Sequence, residues 1–184
     1  KPILSHPEDL ELSHDGIMHE GTISMLLGLE GLSVEAEDVM TSRDLRLAEA
    51  THGRLHLLNV SSHSSVDLIR RVKSRGVGVT AGVCMYNLVL TDESLRTFDS
   101  NYKVDPPLRS QEHVEACLQG LKDGTLDVIS SAHAPRASEK KMLELDQAPF
   151  GMVGLETLLG LVITKLIKPG HLDWLTALEK LTIN

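Results

Sequence analysis

Short apolar runs alternate with amphipathic stretches along most of the chain. The runs end in polar or glycine-containing turns, which is typical of buried strands. The predicted strands cover residues 2–5, 55–60, 77–81 and 127–131. Stretches with an apolar residue every three or four positions predict helices at about 36–51, 64–76, 110–124, 155–167 and 174–181. The pattern therefore predicts a strand–helix unit that repeats along the chain.

This order also predicts how the strands pair. Strands that are separated by helices form parallel sheets, so the repeated unit gives a parallel α/β sheet. Two architectures remain open at this point: half of an eight-stranded (β/α) barrel, or a small open doubly wound sheet. No glycine-rich phosphate loop follows any of these strands, which disfavours the nucleotide-binding version of the second architecture.

Three segments complete the prediction. Residues 2–5 are apolar enough to predict a brief buried strand. Residues 10–32 mix several glycines with polar residues and predict a loop containing at most a short helix. Residues 134–151 predict a second long loop.

Composition and charge narrow the possible functions. A chain of 184 residues is long enough for one domain with a substantial core, and we assign residues 1–184 to a single domain. The net charge of -8 disfavours binding to nucleic acid or to an anionic membrane, because such surfaces attract clustered lysine and arginine. No apolar run approaches the ~18 residues that cross a bilayer. The abrupt apolar ends predict a piece of a longer fold.

The two cysteines indicate the compartment. Cys84 and Cys117 lie far apart in apolar surroundings. This predicts two buried, reduced thiols rather than a disulfide, as in a cytoplasmic protein.

Candidate chemistry lies where the predicted strands end. The fourth strand runs into Ser130-Ser131-Ala132-His133 and then a proline turn, and in (β/α) barrels the strand ends carry the reactive groups. His6 stands at the tip of the first strand, and Pro7 ends that strand. These tips are therefore the predicted site.

Six separated phrases resemble the bacterial long-chain dihydroorotases, the cyclic amidohydrolases of pyrimidine synthesis. They are SHPED at 5–9, MHEG at 18–21, HLLNVS at 56–61, YKVDPPLR at 102–109, HAP at 133–135 and DQAPFGMVGLET at 146–157. The resemblance covers nearly the whole chain. It implies about strands five to eight of a metal-dependent TIM-type (β/α)8 barrel, without the barrel's first half. It also implies zinc-assisted, reversible hydrolysis of (S)-dihydroorotate to N-carbamoyl-L-aspartate.

The resemblance assigns the metal and catalytic positions. His6 matches a metal-ligand histidine. Asn59 stands where the family has its next metal-ligand histidine, and asparagine is a weak zinc donor. Ala132 stands where the family has its catalytic aspartate, and a methyl group neither binds metal nor carries a proton. The resemblance thus predicts a site in which the family's chemistry is lost.

The resemblance also assigns substrate contacts. Asp105 and Arg136 replace two substrate-binding residues, an asparagine and a histidine, and either pair with each other or are both solvated. Pro149 and Gly151 lie in an intact loop whose backbone contacts the substrate in the family.

Side-chain alternation along a strand predicts the face to which two further histidines point. His56 lies an odd number of residues before Asn59, so it is predicted to help pack the outside of the barrel. His133 follows Ala132 directly and is predicted to point away from the barrel interior.

Three functions compete. The first is an inactive or weakly active dihydroorotase homologue that serves as a structural partner of aspartate transcarbamoylase, as some family members do, and forms a homo-oligomer. The second is an active zinc enzyme in which Asp105, Glu139 or Asp146 replaces the missing carboxylate. The third is a hydantoinase-like cyclic amidohydrolase, which the dihydroorotase-like phrases disfavour.

Overall fold

The computed structural model describes residues 1–183, and its elements follow the predicted order. The strands are β1 (Ile3–Ser5), β2 (Met18–His19), β3 (Gly31–Leu32), β4 (Leu55–Leu57), β5 (Val79–Cys84) and β6 (Val128–Ser130). The helices are α1 (Thr22–Leu27), α2 (Glu35–Thr51), α3 (His63–Ser74), α4 (Gln111–Lys122), α5 (Ser138–Lys141), α6 (Leu155–Leu161) and α7 (Trp174–Thr182). Short 3-10 helices at Tyr86–Leu88, Asp92–Thr97 and Ser100–Tyr102 join β5 to α4, and a π-helical segment, Val162–Ile167, continues α6.

The main sheet is parallel and has the strand order β1, β4, β5, β6. Along the chain, helices α2, α3 and α4 each fall between one strand of this sheet and the next. In the register of the sheet, Leu4 lies opposite His56 and His56 lies opposite Thr80. The predicted parallel α/β sheet is confirmed.

Helix α3 illustrates why the sequence folds in this way. The Ser62 hydroxyl accepts a hydrogen bond from the Ser65 backbone N–H, which satisfies one of the free donors at the start of the helix. Val66, Ile69 and Val72 then place an apolar stripe against the sheet, and all three are buried. The capping serine therefore marks the start of the helix, and the apolar stripe sets the face that it buries.

The two faces of the sheet differ sharply. One face packs against the helices, and Leu57 and Val83 are fully buried there among side chains of α3 and α4. The other face is open to solvent, and Leu4 is 63 % exposed on it.

The open face corrects two predictions. Ile3 and Leu4 form a strand as predicted, but both side chains are exposed: β1 is an outer strand of the sheet, and Leu4 also lies on its open face. His56 was predicted on the helix-covered side, and this is wrong. Its neighbours Leu55 and Leu57 face the helices, so His56 lies on the open face, where Nδ1 is 2.7 Å from Thr80 Oγ1. Alternation gives only which residues share a face, not which face is covered.

A second, smaller core lies beyond the carboxyl end of β5. It joins Met18 and Ile23, from the segment predicted as a loop, to Val104 and Leu108 of the loop before α4. The predicted short helix in that segment is α1, whereas the pairing of β2 with β3 was missed because two-residue strands leave no periodic pattern. This core supports the loops that carry the candidate site.

Two remaining expectations can be compared with the fold. Cys84 and Cys117 are both buried and free, as predicted, and burial raises the pKa of the Cys84 thiol to about 12. Over residues 1–183, no helix combines the length and the apolarity that crossing a membrane requires.

Candidate functional site

The candidate site lies beyond the carboxyl ends of the main sheet. His6 directly follows β1, Asn59 lies two residues after β4, and Ala132 lies two residues after β6. Asp105 comes from the loop before α4. His6, Asn59 and Asp105 line one narrow cavity of about 20 Å³, which has room for roughly one water molecule. The fold therefore brings three of the predicted residues together.

His6 and Asp105 form the polar centre of this site. The distance from His6 Nε2 to Asp105 Oδ2 is 3.3 Å, and the two side chains are 35 % and 40 % exposed. Glu8 lies farther away, with 3.9 Å between its Oε2 and His6 Nε2. The hydrogen bond to Asp105 raises the pKa of His6 above its usual value, although burial acts in the opposite direction. The imidazole therefore has a carboxylate as its principal partner.

Asn59 is held in a turn rather than in the strand. Its φ of 52° is in the left-handed region, where asparagine is better tolerated than most residues. Its Oδ1 accepts a hydrogen bond of 2.8 Å from Ser130 Oγ. The turn interrupts the strand alternation that would have placed Asn59 and His56 on opposite faces of the sheet. One lone-pair direction of the amide oxygen is already used within the protein.

The predicted site residue at the end of β6, Ala132, is apolar and does not line the cavity that His6, Asn59 and Asp105 share. Ala132 has a φ of 43° and packs against the second core. The next residue, His133, accepts hydrogen bonds at Nδ1 from the backbone N–H groups of Gly154 (3.3 Å) and Leu155 (3.2 Å). His133 therefore binds the start of α6, and its Nδ1 lone pair is used there.

Arg136 and Asp105 do not pair with each other. Arg136 Nε donates to the carbonyl oxygen of Phe150 at 2.7 Å, whereas Asp105 pairs with His6. The prediction left two alternatives, a mutual pair or two solvated side chains. The mutual pair is wrong, whereas both side chains are exposed, as the second alternative predicted. Each also has a partner within the protein, Phe150 for Arg136 and His6 for Asp105.

The loop that contains Pro149 and Gly151 is fixed by lysines. Lys141 Nζ donates to the carbonyl oxygen of Pro149 at 3.0 Å, and the Gly151 N–H donates to the carbonyl oxygen of Lys103 at 2.9 Å. Lys103 Nζ donates to the carbonyl oxygen of Leu145 at 2.6 Å. Burial lowers the pKa of both lysine side chains. The ammonium groups thus attach this loop to the segment before Asp105.

Sequence reasoning missed the buried polar residues behind the site. Glu37 and Arg109 form an ion pair with 3.3 Å between Oε2 and Nη2, and both side chains are almost fully buried. A signal was present in α2, because Glu37, Thr41, Asp44 and Ala48 share the inward face of that helix. Carboxylates on the inward stripe of a helix predict a buried cationic partner.

His19 is buried beside this pair. Burial is the main cause that lowers its pKa to about 3, and the nearby Arg109 and His113 act in the same direction. Its Nδ1 lies 3.2 Å from Arg109 Nη1 and accepts a hydrogen bond from it, as a neutral imidazole can. His19 therefore stays neutral in the folded protein at pH values where a free histidine is charged.

This difference makes stability depend on pH. The unfolded chain binds a proton at His19 below pH ~6.5 and the folded chain does not, so stability falls as pH decreases from ~6.5 toward the folded-state value. We expect a loss of about 2 kcal/mol between pH 6.5 and pH 5 from this residue. Urea unfolding at both pH values measures it. His19→Gln, which keeps an acceptor for Arg109, should remove the contribution of His19 to the slope, whereas His113, whose pKa burial also lowers, keeps its own. An unchanged slope would contradict the assignment.

The residues that the resemblance assigns to zinc do not fit a zinc centre. His6 is a suitable donor, but Asn59 offers a neutral oxygen that already accepts from Ser130, and Ala132 offers no donor. Among residues 1–183, His6, Glu8 and Asp105 form the one group of potential cation ligands, with one ligand atom from each within 4.8 Å of the others. Two of these atoms already contact each other as an ion pair.

Known proteins are similar to this chain in sequence and in fold. No family sequence profile matches the chain. The dihydroorotase of Pelotomaculum thermopropionicum is 52 % identical over 182 residues, covering 99 % of this chain and 43 % of that protein. The dihydroorotase of Endomicrobium trichonymphae is 48 % identical over 183 residues, covering 100 % of this chain and 43 % of that protein. The chain thus spans about two fifths of the length of these relatives.

Solved structures decide between the two predicted architectures. L-hydantoinase (dihydropyrimidinase) from Arthrobacter aurescens superposes with a TM-score of 0.83 at 27 % identity, covering 97 % of this chain and 41 % of that one. A D-hydantoinase superposes with a TM-score of 0.82 at 21 % identity, covering 98 % and 41 %. The sheet is therefore part of a TIM-type (β/α) barrel, as the resemblance implied, and not a small open doubly wound sheet.

Proposed function

Because this chain belongs to the dihydroorotase family, we propose that it is a member whose metal site has been dismantled. In this proposal it is inactive or weakly active and serves in the cytoplasm as a structural partner of aspartate transcarbamoylase, within a homo-oligomer. The family reaction is the reversible hydrolysis of (S)-dihydroorotate to N-carbamoyl-L-aspartate.

The observation that carries the proposal is the chemistry at the end of β6. Ala132 places a methyl group where the resemblance expects the carboxylate that moves the proton. Loss of a positioned acid–base group typically lowers a rate on the order of 10²–10⁴-fold. Beyond β4, which is separated from β6 by β5, Asn59 accepts a hydrogen bond from Ser130 and is a poor replacement for an imidazole.

The His6–Asp105 pair also supports the proposal. A histidine that binds zinc must present a free lone pair to the metal, and its other nitrogen usually donates to a carboxylate or carbonyl. Here His6 Nε2 lies 3.3 Å from Asp105 Oδ2, and the hydrogen bond to this carboxylate raises the pKa of His6. The polar groups of His6 and Asp105 therefore already have partners within the protein.

One observation favours the alternative of an active enzyme with a rearranged site. Glu8, His6 and Asp105 place three potential ligand atoms close together, and carboxylates and imidazole together bind divalent metals. The other predicted replacements are less suited: Glu139 lies exposed on α5, and Asp146 Oδ1 accepts from the Gln147 backbone N–H at 2.9 Å. The hydantoinase alternative is weaker, because the solved hydantoinases are far less similar in sequence than the dihydroorotases.

The purified protein tests these alternatives through its metal content and its turnover of N-carbamoyl-L-aspartate and dihydroorotate. We expect less than one zinc ion per chain, and turnover at least about 10²-fold below that of an active dihydroorotase measured in parallel. Stoichiometric zinc together with turnover would reject the proposal. In that event Asp105→Asn should abolish turnover and Glu139→Gln should not, since only the first residue contacts His6.

The partner is tested separately by mixing the protein with purified aspartate transcarbamoylase of the same organism. We expect a defined complex in size-exclusion chromatography. Two proteins that elute independently at micromolar concentration would reject the structural role, while leaving the absence of turnover standing.

A further inference from the structure

A buried ion pair lies directly behind the candidate site. Arg109 and Glu37 are 3 % and 4 % exposed, and both line the cavity that His6 and Asn59 also line. We propose that this pair is the positioning device of the site, holding the turn that carries Asn59 against the loop that carries Asp105. The inference goes beyond the proposed function, because it concerns geometry that an active and an inactive site would share.

Arg109 ends the loop that contains Asp105 and joins it to three other elements. Its Nε donates to Ser61 Oγ at 3.0 Å, just beyond β4. Its Nη1 is 3.2 Å from His19 Nδ1 on β2 and 3.4 Å from the carbonyl oxygen of Leu32 on β3. A guanidinium offers several donors in one rigid plane, so a single side chain fixes these groups relative to one another.

Glu37, which lies on α2, holds the segment that follows the Asn59 turn. Its Oε1 accepts from the backbone N–H groups of Ser61 and Ser62, each at 2.9 Å, and its Oε2 accepts from the Ser61 hydroxyl. Hydrogen bonds to a charged acceptor are roughly twice as strong as neutral ones. The carboxylate therefore anchors the chain two residues beyond Asn59.

Stability alone does not account for a pair of this kind. Replacing a buried ion pair with apolar residues of similar volume is often neutral or stabilising, because desolvation offsets much of the attraction. The pair instead fixes the relative position of the segments it joins, because each hydrogen bond holds one donor against one acceptor in a defined direction. Stability and positioning should therefore be separable by experiment.

Other side chains hold only one of the two segments. The Tyr86 hydroxyl donates to the carbonyl oxygen of Asp105 at 2.9 Å, and Asn87 Nδ2 donates to that of Pro107 at 2.9 Å. Both act from the end of β5 on the Asp105 loop. Asn59 keeps its own bond from Ser130 Oγ. Loss of Arg109 or Glu37 should consequently loosen chiefly Ser61 and Ser62, just after the Asn59 turn.

The test compares R109M, E37M and the double variant R109M/E37M with R71M, which changes an exposed arginine of α3. Each single variant at the buried pair leaves one charge without its partner and is expected to lower Tm on the order of 10 °C. The double variant should recover most of that loss. Its Ser61 and Ser62 amides should still exchange hydrogen about tenfold or more faster than in the wild type, because their acceptor is gone. R71M should change neither quantity.

Two results would overturn the proposal: wild-type protection of Ser61 and Ser62 in the folded double variant, or exchange that rises equally in α6 and α7. If the methionine variants do not fold, E37Q decides, because its amide oxygen still accepts from both N–H groups. Slow exchange is expected in E37Q, and exchange at the rate of an unstructured peptide would contradict the proposal. Zinc content and turnover are measured independently, so this inference and the proposed function can fail separately.

Discussion

Replacing Leu57 with alanine is expected to lower the free energy of unfolding by about 2–5 kcal/mol. Leu57 is fully buried on β4, an inner strand of the sheet, and packs within the main core between the sheet and the helices. Truncation removes apolar contacts and leaves a cavity that the neighbouring strands cannot close. Urea unfolding followed by circular dichroism measures the change.

Leu4 provides a matched control for this substitution. It is the same residue type in the same sheet, but it lies on the open face and is 63 % exposed. Leu4→Ala should change the free energy of unfolding by less than about 1 kcal/mol. Equal effects at Leu4 and Leu57 would contradict the assignment of the covered and open faces.

Replacing Gly151 with alanine is expected to destabilise the loop that carries Pro149 and Phe150. Gly151 has a φ of 132°, where a side chain is strained, and an added Cβ would lie 2.4 Å from the carbonyl oxygen of Ala134. We expect a loss of about 2–4 kcal/mol, of which about 1–3 kcal/mol is backbone strain. Thermal unfolding measures the loss, and faster amide exchange should be concentrated in this loop.

Gly160 is the control for this change. It lies inside α6, and apart from the adjacent residues and the backbone of its own helix no heavy atom lies within 4 Å of the position an added Cβ would take. Gly160→Ala should raise stability by up to about 1 kcal/mol, because alanine loses less backbone entropy in a helix. The same chemical change is thus expected to have opposite signs at the two positions, and destabilisation at both would show that the local backbone is not the cause.

The order of strands and helices was predictable because it depends on local periodicity. The apolar stripe of α3 and the run before Asn59 each carry their own signal in a few neighbouring residues. Which face of the sheet is covered depends instead on helices that are distant in sequence. For this reason the side of His56 and the exposure of Leu4 were assigned incorrectly, although the strands themselves were found.

The site was predictable in its location but not in its pairing. The strand ends identified His6, the resemblance added Asn59, and the structure places both at one cavity. The partner of His6 is Asp105, about a hundred residues later, and sequence reasoning instead considered Arg136 for that aspartate. Which of several nearby charged groups form a pair depends on distances of a few ångström in space. The spacing of residues along the chain does not give these distances.

The attachment of the loop between Lys141 and Gly151 has a consequence for acid tolerance. Lys103 and Lys141 donate to carbonyl oxygens, and these acceptors do not titrate. Ion pairs such as Lys73 with Asp127 weaken once the carboxylate is protonated, whereas an ammonium bound to carbonyls keeps both its charge and its acceptors in acid. Acidification should therefore release the charged contacts between helices and strands before it releases this loop from the segment that precedes Asp105.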